Sequence, residues 1–284
     1  MARYFIVEPT PLRMRPGLFK LGRDFGNGQA DELFFQKDAA HDVYLEQKRL
    51  ILSRHPERLA WVAEPETEQR LNAVGRWMLE QGARELGGLA PGLPQAFQAG
   101  EASRRAWYDL SCAVQEDFAV VDLQSDGTDR LALLSVCFPS GWQPERLLGK
   151  SFHHVHAPVV EFDEVAQKSE QLVRAMVERG PYVRFVWTVT ADGRLDHHPL
   201  QAPRDPWTKE CRGYLRVERQ VTVPFAALRM SLFLIRTYLY PFSELSSAER
   251  STLLSAVQQL SPAILAYKGL SDGLPWVMEK LANE

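Results

Sequence analysis

The sequence predicts an α+β fold in which helices precede and follow a five-stranded antiparallel sheet. Apolar residues recur at helical spacing in the first third of the chain and again after residue 245. Between them lie five runs rich in Val, Leu, Phe and Trp, bounded by turn residues. Only one clear helix interrupts those runs, too few for the repeated crossovers of a parallel sheet.

The elements follow in order. The first thirty residues, rich in Pro and Gly, read as an irregular lead-in. Val43, Leu45, Leu50 and Ile51 place a helix over about residues 38–53, and Leu71, Val74, Met78 and Leu79 a second over about 67–83. Residues 87–100 hold four glycines and two prolines and read as a loop between subregions. The runs 118–124 and 131–138 flank Ser125-Asp126-Gly127-Thr128, a hairpin signal. Residues 182–190, 213–223 and 231–240 are the remaining strand candidates. A helix over 161–179 separates the second strand from the third: Phe162, Val165, Leu172, Val173 and Met176 share a face, and Gly180 ends it. Ser246-Ser247-Ala248-Glu249 is a capping box ahead of Leu253, Leu254, Val257 and Leu260, and a last short helix covers 272–282. This divides the chain into an N-terminal lead-in and helical region (1–108), a sheet core (109–245) and C-terminal helices packing on that core (246–284).

Composition narrows the function classes. The chain has 284 residues, with 33 Lys+Arg against 36 Asp+Glu and a net charge of −3, which argues against an electrostatic nucleic-acid binder. The three cysteines, Cys112, Cys137 and Cys211, form no CxxC pair, so no zinc ribbon or thioredoxin-like site is offered. Cys137 reads as a small buried hydrophobe at a strand end. The N-terminus lacks the apolar core of a signal peptide, and the most apolar stretch, 230–242, is short and interrupted by Arg236. The expectation is a cytoplasmic protein with no membrane segment. There is no GxGxxG after a strand, no Walker A loop, no GxSxG elbow and no HExxH.

Metal-binding chemistry concentrates in Phe152-His153-His154-Val155-His156-Ala157-Pro158, which holds three of the seven histidines. Neutral imidazole is the commonest metal ligand. A haem needs one such nitrogen, an apolar pocket and cations for its propionates. A zinc or non-haem iron site needs two or three ligands, which an extended segment would offer from His154 and His156 with a distant carboxylate. Solvated histidines are the third reading, and spacing does not choose among them. His197 and His198 follow the Asp192-Gly193 turn and are expected to be solvated loop residues. Arg184 and Trp187, three apart in one strand, point to opposite faces, with Trp187 toward the core. Arg216, Glu218 and Gln220 share a face, either as an ion-paired edge or lining a cavity for an anionic group.

An ordered series of motifs resembles the haem-dependent oxidative N-demethylases, a family built on a haem-binding PAS-like domain. Gln115-Glu116-Asp117-Phe118 resembles the family's opening to the first strand. Cys137-Phe138-Pro139-Ser140-Gly141-Trp142, with Pro144, Glu145 and Gly149, resembles its CFPS-x-W segment and the short helix after it. Val155-His156-Ala157-Pro158-Val159 is similar to its IHxPVP motif, and Arg184 with Trp187 to its RxNW strand. Leu215-Arg216-Val217-Glu218-Arg219-Gln220 resembles RVERQ, Ile235-Arg236-Thr237-Tyr238 resembles IRTY, and Tyr267-Lys268-Gly269-Leu270 the closing YKG motif. Order and spacing agree from about residue 110 to 280.

The resemblance implies a PAS-like five-stranded antiparallel sheet with helical extensions at both ends. It implies a haem-dependent monooxygenase that removes a methyl group from an amine-bearing substrate as formaldehyde. Dioxygen and electrons from a separate flavin and iron–sulfur reductase would be required. By resemblance His156 is the axial iron ligand; Arg184, Arg216 and Arg236 pair with haem propionates or a substrate anion; and Trp187 lines the haem or substrate pocket. Three departures stand out. Val186 replaces the family's Asn, Pro158-Val159-Val160 replaces PVP, and Val223-Pro224 replaces a basic pair. Val186 is therefore the position at which the chemistry would change. A non-catalytic haem-binding sensor or accessory subunit is the alternative, and a scaffold without haem is a third reading.

Overall fold

The computed structural model describes residues 4–8, 17–89, 97, 104–160 and 168–283. Seven strands form one open antiparallel sheet: β1 (Phe19–Lys20), β2 (Leu59–Trp61), β3 (Asp117–Leu123), β4 (Asp129–Ser135), β5 (Tyr182–Thr190), β6 (Tyr214–Phe225) and β7 (Met230–Pro241), in the order β1-β5-β6-β7-β3-β4-β2. The described helices are α1 (His41–Arg54), α2 (Pro65–Leu86), α3 (Arg104–Ser111), α4 (Phe152–His156), α5 (Ser169–Glu178), α6 (Ser247–Gln258), α7 (Pro262–Tyr267) and α8 (Leu274–Asn283). No helix among the described residues is long and apolar enough to cross a membrane.

The α+β class and the five central strands agree with the expectation, and the sheet is larger than expected. Its two added strands, β1 and β2, come from the N-terminal region and flank β5 and β4. At two and three residues they are too short to show a period. The β4 strand stops at Ser135, three residues earlier than its apolar run, because Asp117 Oδ2 accepts the Phe138 amide at 2.6 Å and turns the chain away. The helix expected over 161–179 is described from Ser169 to Glu178; its expected start, with Phe162 and Val165, lies outside the described residues. The loop expected over 87–100 also falls mainly outside them.

Alternation along β5, β6 and β7 sorts the sheet into two chemically different faces. Register places Arg184 opposite Gln220, Val186 opposite Glu218 and Thr188 opposite Arg216, with Ile235, Thr237 and Leu239 continuing those rows on β7. This is the polar face. The other face presents Trp187, Val189, Leu215, Val217 and Tyr238, covered by Leu253, Ala256 and Val257 of α6, Ile264 of α7 and Val277 of α8. Toward β3 the same apolar face, with Phe118, Val120 and Leu232, packs on Leu71, Val74 and Met78 of α2 and Trp107 of α3. On the polar face Val173, Met176 and Val177 of α5 pack on Leu123 and Val121 of β3.

Ion pairs tie the N-terminal segment and α1 to the sheet. Arg219 meets Asp31 at 2.7 Å, Arg236 meets Asp38 at 2.6 Å, and Lys48 of α1 meets Asp117 at 3.2 Å. At the other end, Ser246 and Glu249 form the expected capping box of α6. Ser246→Ala is expected to lower unfolding stability by about 1 kcal/mol, the usual cost of a lost N-cap, as read by urea denaturation.

Candidate functional site

The short helix α4 is built by two caps. The Ser151 hydroxyl accepts from the His154 amide at 3.3 Å, and Asp129 Oδ2 accepts from the Phe152 amide at 2.6 Å. The segment is therefore helical rather than extended, which separates His154 from His156. His153 and His154 are exposed, whereas His156 folds back over Phe152, ring centroids 4.1 Å apart. Its Nδ1 lies 2.9 Å from the Phe152 carbonyl oxygen. A carbonyl only accepts, so Nδ1 carries the proton and the lone pair of the neutral ring is on Nε2. Burial pushes the imidazole down to about 4; the Phe152 carbonyl opposes that shift and the Arg184 charge reinforces it. At neutral pH the ring is uncharged. No group of three or more His, Cys, Asp or Glu among the described residues could hold a metal ion, so the two-histidine zinc or non-haem iron reading gains no support.

Arg184, on the polar face, faces His156 electrostatically. Burial lowers its guanidinium below the usual arginine range, offset in part by Glu218 and Tyr267. It makes no hydrogen bond or ion pair with any described residue. Beside it Glu218 accepts from Arg216 Nε at 3.3 Å and from Gln220 Nε2 at 3.1 Å, so both carboxylate oxygens are oriented. Tyr267, 47% exposed, closes this cluster. Burial and the Glu218 charge raise its hydroxyl pKa, while Arg204 and Arg184 pull it back.

The other arginines are spoken for. Arg216 donates to the Leu195 and Phe138 carbonyls, both at 2.7 Å, besides its bond to Glu218. It shares the polar face and orients Glu218, serving as a strut. Arg236 lies across the sheet, bonded to Asp38 and the Thr237 carbonyl and stacked on Tyr44 and Tyr238 at 4.2 and 4.7 Å. Trp187 also points to the apolar face, as its spacing from Arg184 requires, and packs in the C-terminal core. Val186 stands on the polar face beside Arg184 and opposite Glu218.

His197 and His198, expected to be solvated, are both buried. His197 Nε2 donates to Asp192 Oδ1 at 2.9 Å, since a carboxylate can only accept. Burial raises the Asp192 carboxyl, but the bonds from His197 and Arg194 dominate and hold it far below its usual range. His198 accepts the Leu200 and Gln201 amides on Nδ1 and faces Glu145 with Nε2 at 3.2 Å. These histidines fold the 192–201 loop; the distant Glu145 could not be read from their spacing. Sequence reasoning gave no role to Tyr267, Lys268 or Arg204, although the first two stand in the YKG motif.

Fold and site together define an α+β protein whose polar sheet face carries one anchored neutral imidazole near a guanidinium that makes no hydrogen bond or ion pair with a described residue. The family model described as haem-dependent oxidative N-demethylase, alpha subunit-like, matches residues 96–275, more than half of the chain. The chain belongs to that family.

Proposed function

We propose that this chain binds haem on its polar sheet face and catalyses oxidative N-demethylation, or a related oxidation of an amine-bearing substrate. The observation that carries the reading is the pairing of His156 with Arg184. A neutral imidazole whose tautomer is fixed by a carbonyl is a suitable axial donor. The half-buried Arg184 guanidinium forms no hydrogen bond or ion pair with a described residue, and the nearby Glu218 carboxylate is engaged by Arg216 and Gln220, so its donors suit a ligand anion such as a haem propionate. His156 and Arg184 would thus hold the group, with Arg216 acting through Glu218. The five central strands lie in the order second, first, fifth, fourth, third, which supports a PAS-like core spanning the 109–245 division.

Haem iron, when bound, supplies activation of dioxygen with electrons from a reductase partner. The side chains do the rest. Glu218, held by Arg216 and Gln220, is oriented to accept an ammonium, and the half-exposed Tyr267 ring adds an aromatic wall worth ~0.5–2 kcal/mol to a cation. Val186 presents an apolar surface next to that carboxylate where the family pattern has an amide.

The test is the visible spectrum of the haem-reconstituted protein, oxidised and then reduced under CO, followed by a formaldehyde assay with an electron donor and small secondary amines. A Soret band that shifts with CO, together with formaldehyde release, is expected. A band that shifts without any turnover would select the sensor reading, and no band would exclude haem. Val186→Asn, which restores the family's amide, is expected to raise turnover of small secondary amines; unchanged turnover would sink the role given to Val186.

A further inference from the structure

The turn that closes the site is held from two sides. Arg204 donates from Nη1 to the Lys268 carbonyl at 2.8 Å, and from Nη2 to the Ser140 carbonyl at 2.8 Å and its hydroxyl at 3.0 Å. Two glycines leave room for the guanidinium. A Cβ at Gly141 would stand 3.0 Å from Nη2, and one at Gly269 3.2 Å from Nη1. Both glycines sit in the left-handed region, at φ 86° and 69°, so each is also required by its own backbone.

Lys268 supplies the second arm. Its Nζ donates to the Trp187 carbonyl at 2.7 Å and lies 5.3 Å from the centroid of that indole. The β1 strand pairs only with Tyr182 and Val183, so at Trp187 the outer edge of β5 is bare of sheet and the lysine takes its place. The turn therefore straddles the edge of β5, with Lys268 over the apolar-face indole and Tyr267 beside the polar-face Arg184 and Glu218. Neither cation forms an ion pair with a described carboxylate; Lys268 is spent on a backbone carbonyl, and Arg204 on two carbonyls and the Ser140 hydroxyl. A helix as short as α7, six residues, would not hold that turn by itself.

We propose that Arg204 and Lys268 are positioning residues, a clasp that fixes the Tyr267 ring across the Arg184–Glu218 face and so sets how an amine-bearing ligand is seated. The role in ligand seating rests on the function proposed above; the clasp itself does not. The test uses the 284-residue chain labelled with 3-fluorotyrosine, with the Tyr267 resonance assigned by its loss in Tyr267→Phe. In Lys268→Met and Arg204→Lys that fluorine signal is expected to move toward the value of free fluorotyrosine. The Soret band after haem reconstitution should persist in both variants. KM for a small secondary amine should rise roughly tenfold with a much smaller change in kcat. Should Lys268→Met fail to fold, Ser140→Ala removes only one acceptor of Arg204 and should shift the signal in the same direction by less. An unmoved Tyr267 resonance in the folded variants overturns the proposal. Failure of the wild type to bind haem would overturn the proposed function alone, since the fluorine signal reads the clasp with or without haem.

Discussion

Haem retention is expected to be lost in His156→Ala and kept in His153→Ala. The reconstituted His156→Ala protein should show no Soret band that survives desalting, while the His153→Ala spectrum should match wild type. The difference is in what each ring touches. His156 is packed on Phe152, fixed through Nδ1 and turned toward Arg184, whereas His153 is exposed. Removing an outer partner of a metal ligand typically costs about 10–100-fold in affinity, and removing the ligand itself should exceed that. Full haem occupancy in the His156 variant would remove the ligand assignment and, with it, the reason for placing the cofactor on this face.

Lys48→Met should cost about 3–5 kcal/mol at neutral pH, because it strands a buried carboxylate. Lys48 is fully buried, lies 3.2 Å from Asp117 Oδ1 and also donates to the Glu116 carbonyl. Burial already raises the Asp117 pKa against the opposing pull of Lys48, and the substitution removes that pull. The sign follows from proton linkage. A carboxyl with a raised folded-state pKa gives its full stability below its unfolded pKa of about 4 and loses it as pH rises through the folded value. The deficit of Lys48→Met relative to wild type should therefore be small near pH 4.5 and large near pH 7.5, about half a unit and several units from the unfolded pKa. Urea unfolding of both proteins at the two pH values reads this directly, and an equal deficit at both would contradict it.

The parts of the fold with a repeating pattern were legible in the sequence. The β5–β7 strands run nine to twelve residues and alternate, α2 carries an apolar stripe, and α6 announces itself with Ser246 and Glu249. What escaped was short or made at long range. The five residues of α4 are too few for a period, and only Asp129, far back in the chain, and Ser151 make them helical. His197 and His198 looked like loop residues because burial behind Asp192 and Glu145 depends on where the chain returns. The candidate site was half legible. His156 stood out by residue type and resemblance, and alternation put Arg216, Glu218 and Gln220 together. That Arg236 would be claimed by Asp38, nearly two hundred residues away, had no local signal.

The division of the sheet into an apolar and a polar face has an evolutionary consequence. Successive residues of β6 serve different masters: Leu215 and Val217 hold the apolar core, while Arg216 and Glu218 stand on the polar face where the ligand is proposed to bind. A substitution on the polar side can thus change what is bound without disturbing the core, the role proposed for Val186. A single-residue insertion would instead exchange the two sets and lose both. Lineages sharing this sheet should diverge in ligand chemistry by point substitution on alternate positions, and only rarely by changes in strand length.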